Sequence, residues 1–196
     1  IQRIGVKSKK EPDRIKNTAL DIGTRAHQAI DDIIKGGEPE IAEDIYLPVE
    51  GFLTWLGQTN LTIVSGDIKV ASKEAEFGGS IDCLAIDSKG DLHLLDWKTS
   101  KQFSKDYCCQ IGAYTKALME TFGLKTFPRA HIVRFDKTKP EVEIRSIRFL
   151  LEAWKAFEAL LWTHKLMQIE FYDEKEKFKF TPKMKKQKEP TNANAS

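Results

Sequence analysis

The chain has 196 residues, 41% of them hydrophobic and 31% charged, with a net charge of +2. That supplies enough apolar matter for one compact domain with a full core, and no apolar run approaches the ~20 residues that a membrane-spanning helix needs. No secretory signal pattern opens the sequence, and three cysteines (Cys83, Cys108 and Cys109) are too few and too poorly spaced for a disulfide framework or a four-cysteine metal site. A reducing, intracellular setting is the simplest expectation.

The small net charge hides a strong asymmetry. Residues 1–17 carry six Lys/Arg against two acids and residues 175–189 carry seven Lys against two, a surplus of nine cations that leaves −7 on the rest. An acidic body between basic ends suits a protein that binds metal centrally and phosphates peripherally; solvating lysine tails are the plainer alternative.

In chain order, residues 1–17 read as a basic extension without clear periodicity. Thr18-Ala19-Leu20-Asp21 resembles a capping box and opens a helix with apolar positions Ile22, Ala26, Ile30, Ile33 and Ile34, ended by Gly36-Gly37. A second helical piece, from about Pro48 to Gly57, presents Val49, Phe52, Leu53 and Leu56. Three strands follow, over Leu61–Ala71, Ala75–Ile86 and Asp91–Thr99. Next comes a helix with Tyr107, Ile111, Tyr114, Leu118 and Phe122 at helical spacing, closed by Gly123. Two more strands, Arg129–Phe135 and Glu141–Ile147, flank a turn, and a long helix carrying Leu150, Trp154, Phe157, Leu161 and Met167 ends the body. Phe52, Trp55, Trp154 and Trp162 are expected in the core or covering a helix. Residues 173–196 read as a basic, flexible tail. Strands in a run, a crossing helix and further strands predict an α/β/α sandwich with a mixed central sheet, as one domain over residues 18–172.

The chemistry concentrates in the second and third strands. Asp-x-Lys occurs four times, at Asp67–Lys69, Asp87–Lys89, Asp96–Lys98 and Asp173–Lys175, so setting must discriminate. The segment Asp87-Ser88-Lys89-Gly90-Asp91 reads as a hairpin turn with Gly90 in the left-handed position. A turn centred on Lys89 places Asp82 opposite Asp96, with Cβ atoms about 5 Å apart, and Lys98 on the same face. A bulge at Gly90 would slip this pairing by one residue. Two carboxylates that close repel unless a cation joins them; the alternative is a structural Asp–Lys salt bridge with Asp82 protonated or solvated. Cys83 faces away from Asp82, which argues against a thiol nucleophile. His27 lies one turn after Gly23 at the edge of the first helix's apolar stripe, and Gln110 and Tyr114 share a helix face.

Taken in order, Gly23–His27, Gly79–Asp82, Asp96-Trp97-Lys98 and Gln110–Tyr114 resemble the PD-(D/E)XK nuclease superfamily, in its RecB-like exonuclease branch. The run Gly79-Ser-Ile-Asp-Cys-Leu-Ala and then Leu95-Asp-Trp-Lys-Thr-Ser is similar to mitochondrial genome maintenance exonucleases and their phage or bacterial relatives. The resemblance spans about Asn17 to Ala117. The family's strand glutamate falls on Asp67, Ile81 stands where proline is common, and the cysteines of iron–sulfur relatives are missing. The resemblance implies a restriction-endonuclease-like fold and a Mg²⁺ or Mn²⁺ ion held by His27, Asp82, Asp96 and the Trp97 carbonyl, the histidine tilting preference toward Mn²⁺. It further implies Lys98 as an electrostatic catalyst, and Gln110 and Tyr114 as positioning groups. The expected substrate is single-stranded DNA or a free DNA end, with the basic ends binding phosphates and Phe178 and Phe180 either stacking on bases or docking onto the body.

Overall fold

The computed structural model describes residues 10–169; the expectations placed on Phe178, Phe180 and the tail lie outside them. Helix α1 runs over Lys10–Ile34, a 3₁₀ turn over Glu43–Ile45 leads into α2, Tyr46–Gln58, and β1, Thr62–Ser72, follows. Then come β2, Phe77–Ile86; β3, Leu92–Lys98; α3, Asp106–Phe122; β4, Arg129–Phe135; β5, Val142–Ile147; and α4, Leu150–Met167. Helix α1 begins well before the capping-box sequence at Thr18. The stretch that precedes it holds good helix formers, with its one proline, Pro12, in the first turn where a missing N–H costs nothing.

The five strands lie in chain order, β1-β2-β3-β4-β5, antiparallel except for the parallel β3/β4 pair. A parallel pair needs a crossover, and α3 is that crossover. Its end is set by Gly123, whose φ of 65° takes the left-handed cap while its N–H bonds the Met119 carbonyl. The hairpin pairs Cys83 with Leu95 and Ile86 with Leu92, the register expected for a turn centred on Lys89. Gly90 has φ 83°, and the Asp87 carboxylate accepts the N–H groups of Lys89 and Asp91, so the turn closes without slipping the ladder.

Apolar layers cover both sheet faces. On one, Ala26 and Ile30 of α1 and Val49, Phe52 and Trp55 of α2 pack on Leu95, Trp97, Val133 and Phe135. On the other, Ile111 and Leu118 of α3 pack on Leu94, Ile132, Ile81 and Val70. This is the α/β/α sandwich with a mixed sheet. Trp97 sits in an aromatic cluster, with centroid separations of 5.8 Å to Phe52, 5.4 Å to Trp55 and 5.6 Å to Phe135. Such pairs are each worth about 0.5–1.5 kcal/mol beyond area burial. Because Trp97 lies between Asp96 and Lys98, its burial under α2 forces both charged neighbours to the α3 face.

Helix α4 departs from expectation. Only Leu150 and Ala153 are buried; Trp154 stacks on Phe77 at 5.9 Å, and Trp162 is 65% exposed rather than in the core. With α3 between it and the sheet, α4 buries one narrow stripe. On α2, Leu53 is 43% exposed because Trp55, not Leu53, completes the buried face.

Candidate active site

Strand β1 is distorted where the site forms. Its ladder with β2 shifts register between Ile63 and Ser65, then pairs Gly66 with Cys83 and Ile68 with Ile81, and between these Asp67 has φ 44°. The alternation of β2 changes opposite this point: Ile81 joins the α3-side core while Cys83, two residues on, joins the α1-side core. Asp82 is thereby placed at the opening between β2 and β3, just past the last β2/β3 pair. Its Oδ2 accepts the Trp97 N–H at 2.7 Å and its Oδ1 lies 3.2 Å from His27 Nδ1. Helix α1 approaches β3 closely enough that a Cβ on Gly23 would stand 3.1 Å from Thr99 Oγ1, which is what brings His27, one turn later, to the strand ends.

Asp96 is 2% exposed. Burial pushes its carboxyl up to about 6, Lys98 opposes the shift, and the negative charge of Asp82 adds to it. Lys98 Nζ stands 2.5 Å from Asp96 Oδ2, but off the line a hydrogen bond requires, so this buried oxygen has no well-aligned donor. Lys98 also donates to Gln110 Oε1 at 3.0 Å, and Gln110 Nε2 donates to the Tyr114 hydroxyl at 2.8 Å. Gly79 makes room for that tyrosine: a Cβ there would meet the Tyr114 ring at 2.6 Å. Burial raises the Tyr114 pKa, keeping the hydroxyl protonated. Burial also drives the Cys83 thiol up to about 12, which removes it as a nucleophile.

The structure thus joins the predicted residues into two chains of contact, His27–Asp82–Trp97 and Asp96–Lys98–Gln110–Tyr114. Two cavities meet at His27. One, of about 340 Å³, is lined by His27, Asp31, Asp67, Asp82 and Trp97; the other, of about 380 Å³, by His27, Lys98, Thr99, Ser100, Tyr107 and Lys137. Asp67 is held by Lys69 at 2.7 Å and by Ser80. Of these lining residues, sequence reasoning missed Asp31, whose only signal is its place one turn after His27. It also missed Tyr107, the ring of which lies 5.0 Å from the Lys98 ammonium.

Two carboxylates and an imidazole make a donor set suited to Mg²⁺ or Mn²⁺, with the Lys98 ammonium already against Oδ2 of Asp96. Among the described residues, however, no three His, Cys, Asp or Glu side chains converge as a ready ligand set. Asp82 turns its Oδ2 to the Trp97 N–H, while Asp96 turns its Oδ2 to Lys98. The donor chemistry fits; the positions have not closed around one point. Among the described residues no helix is long and apolar enough to cross a membrane.

No protein-family model matches the chain, and no curated protein does. A crystal structure from Eubacterium rectale, described as a "putative exonuclease", is similar with a TM-score of 0.50 at 13% sequence identity, covering 82% of this chain and 77% of that one. At that identity the likeness establishes a shared fold, a five-strand mixed sheet between helices.

Proposed function

We propose that this chain is a divalent-metal-dependent deoxyribonuclease of the PD-(D/E)XK type, in the RecB-like branch, that hydrolyses DNA from a free end, with single strands as the preferred substrate. The observation that carries the reading is the burial of Asp96 against Lys98 at 2.5 Å, with the charges of Asp82 and His27 near enough to act on the same carboxyl. The shared fold with a structure described as a "putative exonuclease" supports the same reading.

His27, Asp82, Asp96 and the Trp97 carbonyl are the groups that would hold Mg²⁺ or Mn²⁺. When bound, such an ion polarises the scissile phosphate and lowers the pKa of its water. Lys98, fixed between Asp96 and Gln110, offers its ammonium to the charge that develops on the phosphorus oxygens. Tyr114 orients Gln110, which keeps Lys98 from folding back. Asp67, at the rim of the His27–Asp82 cavity, occupies the place of the family's strand acid.

The test is direct. End-labelled single-stranded, duplex and covalently closed circular DNA are incubated with Mg²⁺ or Mn²⁺, comparing wild type with Lys98→Ala. Loss of label from linear single strands, abolished by chelator and by the substitution, is expected. Cleavage of closed circles would replace the exonuclease with an endonuclease of the same fold. Binding without cleavage in either metal would leave a non-catalytic subunit that holds DNA ends.

A further inference from the structure

Resting on that reading, we infer that Arg134 is a positioning residue: it ties the loop after β3 to the β4–β5 turn, holding the cavity wall from which Lys137 meets a substrate phosphate. Arg134 stands beside Lys98 in the parallel β3/β4 register and is only 6% exposed. Its Nη1 donates to Asp136 Oδ2 at 2.7 Å and to the carbonyls of Ser100 and Lys101 at 3.2 and 3.4 Å. Its Nε and Nη2 reach Glu143 Oε2 on β5 at 3.3 and 3.1 Å. The loop is gripped a second time through Phe103, whose ring centroid lies 5.8 Å from the Arg134 guanidinium and 4.4 Å from that of Arg145.

One planar fork therefore binds three segments, a task that a lysine's point charge could not perform. Two of those segments reach the cavity beside Lys98. The loop supplies Thr99 and Ser100, and the turn supplies Lys137. Lys137 lies between Asp136 and Thr138, and these are locked together: Asp136 Oδ1 accepts both the N–H and the hydroxyl of Thr138 at 2.8 Å. Among the described residues Lys137 has no carboxylate within ion-pair distance, while Lys98 across the cavity is engaged by Asp96 and Gln110. The geometry leaves Lys137 as the ammonium available to a phosphodiester entering toward Lys98.

The experiment uses the full chain and a single-stranded oligonucleotide. Lys137→Ala should weaken binding for all sequences alike and lower the slope of log K against log salt by about 0.7, one phosphate contact; Lys137→Arg should restore it. Arg134→Met should speed amide exchange across residues 99–105 and raise KM about tenfold with kcat within about twofold, because the wall and not the reacting groups has moved. Should Arg134→Met fail to fold, Phe103→Ala loosens the same loop without stranding a charge and carries the same expectations. Unchanged exchange in residues 99–105 with normal cleavage overturns the tether alone, and an unchanged salt slope in Lys137→Ala overturns the phosphate contact. A wild type that neither binds nor cuts DNA overturns the nuclease reading and the role of Lys137 together, while the exchange measurement still judges the tether.

Discussion

Two neighbouring strands carry the same charges at the same spacing and use them oppositely. Strand β3 bears Asp96-x-Lys98, and β4 with the first residue after it bears Arg134-x-Asp136, with Lys98 and Arg134 paired in register. Asp136 is saturated: Arg134 donates to one oxygen, and the Thr138 N–H and hydroxyl donate to the other. Burial works against its ionised form, yet those bonds outweigh burial and hold its carboxyl down at about 2. Asp96 is buried with a single cation off-axis, and its carboxyl is driven up to about 6. A structural ion pair closes its hydrogen bonds; a working one leaves an oxygen open and tolerates the cost. The second pair thus calibrates the first.

Substitutions sharpen that contrast. Lys98→Ala is expected to lower kcat by about 10³-fold, the scale for removing one preorganised electrostatic group, measured as cleavage of labelled single strands under saturating Mn²⁺. Asp96→Asn should abolish cleavage while leaving the melting temperature unchanged or slightly higher, since the fold already disfavours the charge it removes. Asp136→Asn should do the reverse on stability. It strips a buried guanidinium of one of its two charged partners, leaving Glu143, and costs about 2 kcal/mol, or about 4–8 °C in Tm for a domain of this size. Equal thermal losses in the two Asn variants would erase the distinction between the pairs.

Acid titration separates them by sign. Asp96 has a folded pKa above the ordinary 3.8, so its ionisation penalises the native state; that penalty is complete above pH 6 and is relieved as pH falls from 6 to 4. Asp136 has a folded pKa below 3.8, so its contribution is fully present above pH 4 and is lost as pH falls through about 2, worth about 2 kcal/mol. Urea unfolding with chelator present should show Asp96→Asn losing the first trend and Asp136→Asn losing the second. Identical pH profiles for wild type and both variants would break the comparison.

Much of this was legible from residue order. The turn at Asp87–Asp91 dictated the register from Ile86–Leu92 to Cys83–Leu95, because Gly90 and the Asp87 carboxylate specify one closure, but the ladder ends one pair short of the expected Asp82–Asp96 partners. Period-two apolar patterning and the Trp97 position fixed which face Asp96 and Lys98 occupy. The distortion of β1 at Asp67 was not legible: alternation assumes a regular pleat, and Asp67 takes φ 44° inside a continuous strand. Nor was the Arg134 network, whose partners Ser100 and Lys101 contribute backbone carbonyls and so carry no side-chain signature. Trp162, expected in the core or covering a helix, is 65% exposed, because bulk and apolarity do not say whether anything covers a residue.

The smallest expected effect falls on the far end of the Lys98 relay. Tyr114→Phe removes only the hydroxyl that accepts from Gln110 Nε2, leaving the ring against Gly79 and the Gln110 oxygen free to accept from Lys98. One neutral hydrogen bond is worth about 1 kcal/mol, so kcat should fall about fivefold with KM and Tm nearly constant. Gln110→Ala, which frees Lys98 itself, should cost more than Tyr114→Phe, and the double variant should cost no more than Gln110→Ala alone, because the tyrosine acts only through the glutamine. Additive losses would mean that Tyr114 touches the substrate directly and that the relay from Asp96 ends at Gln110.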